Sequence, residues 1–202
     1  MRSFIVGTAA LLVFGAGGCS SDAQPDSAAT LTTPTVTVAS VNGSGCPAGT
    51  ATTSVAGDAS SLTAAYTAFT AKAGTGSTPT QFRRNCQLNI KIVSPGQTYT
   101  VSQVTEHGSV NLPTGGTALQ HTTYYLQGSS TTTPVDHSAS GPLSGAWDQN
   151  DPTPFSAPCG TTVNLNVNVA LSVTTGPSGA AASLSLIGSP LGTTVDFVWT
   201  PC

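Results

Sequence analysis

Residues 163–173, VNLNVNVALSV, alternate so strictly that Val163, Leu165, Val167, Val169, Leu171 and Val173 all fall on one side of an extended chain. Successive side chains of a strand point to opposite faces, so this period of two demands one dry face and one wet face. Residues 86–93 repeat the pattern, with Cys86, Leu88, Ile90 and Ile92 on one face and Gln87, Asn89 and Lys91 on the other. Near the end of the chain Val195, Phe197 and Trp199 alternate in the same way. Half-buried strands of this kind belong to antiparallel sheets. Weaker strand candidates lie at 36–41, 50–56, 61–70, 98–112, 117–127, 133–139 and 183–187. Turn residues separate them at Ser94-Pro95-Gly96, Pro113–Gly116, Gly176–Gly179 and Ser189–Gly192. The Ala-rich stretch 59–73 competes as a helix, but the alternation of Leu62, Ala64, Tyr66 and Ala68 favours a strand. Many short strands with frequent turns predict an all-β chain, a single antiparallel β-sandwich over residues 36–202.

Charge narrows the function. Only 6% of residues are charged, against roughly 25% in an average soluble domain. Beyond Arg2 the cations are Lys72, Arg83, Arg84 and Lys91, set against eight acids. Nucleic-acid binding needs an extended basic footprint, which this chain lacks. Confinement of all four cations to 72–91 would suit a small anion-binding patch, although solubilising charge is the simpler reading.

The amino terminus supplies an address. Arg2 precedes an apolar run from Phe4 to Phe14 and then Gly15-Ala16-Gly17-Gly18-Cys19. A charged start, a short apolar middle and small residues before a cut make residues 1–18 a secretory signal. The apolar run is too short to cross about 30 Å of hydrocarbon as a helix. Cys19 after four small residues resembles the lipobox of bacterial lipoproteins, with Ala16 where leucine is usual. Cys19 is therefore the expected lipidation site of an exported, membrane-anchored or secreted protein. Residues 19–35, rich in Ser, Thr and Pro, read as a flexible tether.

Setting Cys19 aside leaves Cys46, Cys86, Cys159 and Cys202, an even set that predicts two disulfides in an exported protein. The cysteines lie tens of residues apart, unlike the close pairs of zinc sites. Three connectivities exist, and sequence proximity favours Cys46–Cys86 with Cys159–Cys202. A simple meander of the last three strands would put Cys159 and Cys202 at opposite ends of a sheet. Either that pairing comes with a crossover between sheets, or the cysteines are joined differently.

No cofactor is expected. Ser, Asp and three histidines (His107, His121 and His137) could assemble a hydrolytic site, but no G-x-S-x-G elbow is present. Pairing of 117–127 with 133–139 around Ser130 would set His137 opposite Tyr125, with His121 about 13 Å further along. That spacing disfavours shared zinc. Asp148, Asn150 and Asp151 offer calcium-type oxygen ligands in a loop but lack the EF-hand ladder, and a plain turn before Pro152 is the competing reading. Adjacent Tyr124 and Tyr125 must point to opposite faces, and Trp147 in a Pro-rich loop is the best candidate for an exposed ring. Trp147, Tyr124 and Tyr125 are thus the candidate sugar-stacking residues, while Trp199 has core parity.

Six segments, GSGCPAGT (43–50), RRNCQL (83–88), YYLQGSS (124–130), SGPLSGAWD (140–148), APCG (157–160) and WTPC (199–202), carry a resemblance. In this order they resemble a family of small secreted proteins of fungi and bacteria known only as domain of unknown function 4360. The resemblance implies a secreted, cysteine-bridged domain and carries over no catalytic residue. The expected function is a non-catalytic surface module that binds polysaccharide or another envelope component, or is part of the envelope. The alternative is a secreted hydrolase with an unrecognised Ser/His/Asp site.

Overall fold

The computed structural model describes residues 32–152, 155–187 and 192–202. The expected leader, Cys19, most of the tether and most of the turn at 189–192 lie outside the described residues. Among the described residues there is no helix, and thirteen strands form two antiparallel sheets in a sandwich.

The five-stranded sheet runs β1 (Thr35–Asn42), β5 (Arg83–Val93), β11 (Leu165–Thr174), β7 (Thr117–Leu126), β8 (Thr133–Ser140). The other sheet follows the path β2 (Ala51–Val55), β3 (Ser61–Tyr66), β13 (Thr193–Pro201), β6 (Gln97–Leu112), β12 (Ala182–Ser185), β4 (Thr70–Ala73). Both β9 (Leu143–Asp151) and the short β10 (Phe155–Ser156) pair with β6 as well. The strongly alternating segments sit where the pattern requires. Leu88 and Ile90 of β5 meet Leu165, Val167, Val169 and Leu171 of β11, all fully buried, and Val101, Val104 and Val195 close the core from the opposite sheet. Val163 is the exception. It precedes β11 and is 41% exposed, because pairing begins only at Leu165.

The Ala-rich stretch becomes two strands, β3 and β4. The break lets Phe69 turn inward and meet Tyr66 edge-on, with ring centroids 5.1 Å apart. Trp199 keeps its expected side, partly buried and stacked on Phe197 at 5.8 Å.

Cys46–Cys86 and Cys159–Cys202 are both bonded. The crossover demanded by the second bridge is real: β11 lies in one sheet, and β12 and β13 lie in the other. Cys202 leaves β13 with its N–H bonded to the Gly96 carbonyl, which brings it beside the 159–162 segment that follows β10.

Two sequence expectations change. The segment carrying Trp147 and Asp148–Asp151 is not a loop but strand β9, in register with β6 from Val104↔Asp151 to Leu112↔Leu143. Trp147 and Asp151 take buried positions of this strand while Asp148 and Asn150 between them are exposed, a division that turn-forming composition conceals. The register of β7 with β8 also differs from the expected one. His137 faces Gln120 and His121 faces Asp136, because the chain reverses at Leu126–Ser129, where Gly128 takes φ +82°. Glycine enters that left-handed region without steric cost, so the turn centres on Gly128 rather than on Ser130.

Candidate functional site

The outer face of the five-stranded sheet collects the polar residues that the alternation of β5 and β11 turns away from the core. Rows of side chains cross the sheet in register. Asn166 lies between Asn89 and Tyr125, Asn168 between Gln87 and Thr123, Ala170 between Asn85 and His121, and Ser172 between Arg83 and Leu119. The amides knit into a ladder. Gln87 Nε2 and Asn89 Nδ2 each donate to Asn166 Oδ1 at 2.8 Å, and Asn164 Nδ2 donates to Asn89 Oδ1 at 2.6 Å. Each primary amide carries two donor hydrogens and an acceptor with two lone pairs, so these bonds leave hydrogen-bonding capacity unused. Asn168 Oδ1 is buried with no partner among the described residues.

The ladder runs toward a concavity of about 310 Å³ lined by Phe82, Arg83, Leu119, His121, Ala170 and Ser172. Phe82, immediately before β5, is 52% exposed, and its carbonyl accepts the Val173 N–H, which pins its backbone to β11. His121 Nδ1 contacts Asp136 Oδ1 at 2.5 Å on the same face. The depression is therefore lined by an aromatic ring and a leucine from opposite sides of β11, together with a guanidinium, an imidazole oriented by a carboxylate, and a hydroxyl. Apolar walls with a few convergent polar groups characterise ligand pockets.

A second polar group lies between the sheets. Glu106 of β6 is fully buried and accepts from Gln120 Nε2, while Gln120 Oε1 accepts the indole N–H of Trp147 at 2.7 Å. His137 Nε2 contacts Asp151 Oδ1 at 2.5 Å nearby. Burial, reinforced by the negative charge of Asp151, pushes the Glu106 carboxyl up to about 8, so it is largely protonated at neutral pH. Burial likewise raises the Tyr66 phenol, whose hydroxyl bonds Thr193 Oγ1 at 3.4 Å. The Glu106–Gln120–Trp147 chain and the His137–Asp151 contact tie the two sheets together, whereas the Tyr66–Thr193 bond lies within one.

The expected site residues separate accordingly. Tyr124 is fully buried, whereas Tyr125 is half-buried on the amide face, so alternation divides the pair. Trp147 is only 4% exposed, so the expected exposed ring is instead a core anchor, a consequence of its inward parity on β9. Asp148 and Asn150 face outward while Asp151 is 4% exposed between the sheets, so the three oxygen donors do not converge. His107 sits opposite Asp148 on β9 and bonds it at 2.8 Å. Each of the three histidines thus pairs with its own aspartate.

Sequence reasoning missed Phe82 and the amide ladder. The signal was present: Gln87 and Asn89 occupy wet positions in one alternating segment, and Asn164, Asn166 and Asn168 occupy them in the other. Phe82 precedes its strand, where no periodicity marks it.

The chain is 30% identical over 131 residues to a protein of Arthroderma benhamiae described as an uncharacterized secreted protein; the match covers 62% of this chain and 54% of the relative. The chain thus spans about half the length of the curated relative it matches. No solved structure matches. Residues 32–202, which hold both disulfides and every described strand, match the family described as Domain of unknown function (DUF4360), and the chain belongs to that family.

Proposed function

We propose that this chain is an exported, non-catalytic binding module whose five-stranded sheet receives a polyhydroxylated ligand, a polysaccharide of the cell envelope. The amide ladder leading into the Phe82 depression carries this reading. Vicinal hydroxyls both donate and accept, as carboxamides do, and an exposed ring offers an apolar face to the C–H side of a sugar. Two disulfides suit an oxidising compartment outside the cytosol. In the same reading, lipid at Cys19 holds the module at a membrane through the 19–35 tether.

Binding is tested by electrophoresis of the exported protein through gels containing envelope polysaccharides. Retardation is expected to disappear in Phe82→Ala and to weaken in Gln87→Ala. Full retardation of Phe82→Ala, or none for the native protein on any polysaccharide, refutes the site. Turnover of a glycoside or ester that is lost in His121→Ala would instead mark a hydrolase. Anchoring has a separate test, mass spectrometry of the membrane fraction. A diacyl-modified amino-terminal Cys19 is expected, and soluble protein beginning at Gln24 would dismiss the anchor.

A further inference from the structure

The adjacent arginines of RRNCQL part company in the structure. Arg83 faces outward toward the Phe82 depression, whereas Arg84 has the parity of Cys86 and Leu88 and lies in register with buried Leu171. Arg84 therefore enters the end of the sandwich, where it lines a different concavity of about 340 Å³. Lys72 of β4 lines the same concavity, together with Gln81, Ser44, Thr67 and Thr70. Two of the four cations of the exported domain thus share one opening, and among the described residues neither forms an ion pair.

The surround is built rather than loose. The Lys72 N–H bonds the Gln81 carbonyl at 2.8 Å, which ties β4 to the segment leading into β5. Ser44 Oγ donates to Asn85 Oδ1 at 3.1 Å and accepts the Asn85 N–H at 3.2 Å, and the Cys46–Cys86 disulfide fastens the same loop to β5. Arg84, itself half-buried, lines the concavity together with residues of both fastened segments.

A planar guanidinium fork, an ammonium and several hydroxyl or amide donors suit an oxyanion, which accepts from all of them. We propose that this concavity binds an oxyanion group, a carboxylate or sulfate, either free or carried on an acidic sugar. The site stands apart from the amide face and does not depend on it.

The test is a titration of the ¹⁵N-labelled exported domain with sodium sulfate, sodium glucuronate and sodium chloride at matched ionic strength. Saturable shifts are expected at Ser44, Lys72, Gln81 and Arg84 with sulfate or glucuronate and not with chloride. Sulfate alone identifies a free inorganic anion, and glucuronate alone a sugar carboxylate. Lys72→Gln, an exposed change that leaves the fold untouched, and Arg84→Gln should each weaken binding at least tenfold. Lys91→Gln, an exposed cation of β5 that lines neither concavity, should not. Shifts that chloride reproduces, a lack of saturation with both oxyanions, or equal weakening by Lys91→Gln would overturn the proposal.

Discussion

The indole Nε1 of Trp147 donates to Oε1 of Gln120 at 2.7 Å, joining a strand of one sheet to a strand of the other. Both residues are buried, so Gln120 has no water to replace that donor. Trp147→Phe keeps much of the volume but strands the Gln120 carbonyl and should cost about 1–3 kcal/mol. Trp147→Ala adds a cavity and should cost about 3–5 kcal/mol. Urea unfolding measures both, and a stability change below about 0.5 kcal/mol for Trp147→Ala contradicts the buried position.

Glu106 makes stability depend on pH in an unusual direction. Its folded carboxyl titrates near 8, well above an unfolded glutamate, so the folded chain holds a proton that the unfolded chain has released. The contribution is full below about 4.5 and is lost as pH rises toward 8, at up to about 1.4 kcal/mol per pH unit. Glu106→Gln should flatten the stability profile between pH 5 and 8. An unchanged decline in that variant would assign the effect to another group.

The Cys46–Cys86 bridge closes a loop with a sequence separation of 40. In the chain-entropy picture a loop of that size contributes about 4 kcal/mol. Replacing both cysteines with serine should lower the urea midpoint accordingly. Because the same bridge fastens the Ser44 loop to β5, the double variant should also lose oxyanion binding under conditions where it remains folded.

Gly108 sits where β6 passes close to the strand beside it. A Cβ there would stand 1.8 Å from the Ser185 carbonyl oxygen of β12. Backbone cannot yield as a side-chain tip does, so Gly108→Ala must push β12 aside, at a cost of about 1–3 kcal/mol. Hydrogen exchange should show faster loss of the Leu184 and Leu186 amides, and protection equal to the native chain would refute the contact.

Local alternation alone was enough to predict a two-sheet β-sandwich, because period two needs no knowledge of partners. Cys46–Cys86 and Cys159–Cys202 were legible from proximity, and the crossover that the second one required was a constraint on topology before any strand order was known. The division of Tyr124 from Tyr125 follows from the same parity. Tertiary structure decided the rest. Asp148–Asp151 reads as a turn until β6 supplies hydrogen-bonding partners along its whole length, and only then does Trp147 acquire an inward side. The His137 register depended on where Gly128 allows the chain to reverse, a shift of a few residues that pattern cannot resolve. The amide ladder and the concavity that Lys72 and Arg84 both line draw on residues from separate strands, and such groupings arise from strand pairing and sheet packing, which no local period encodes.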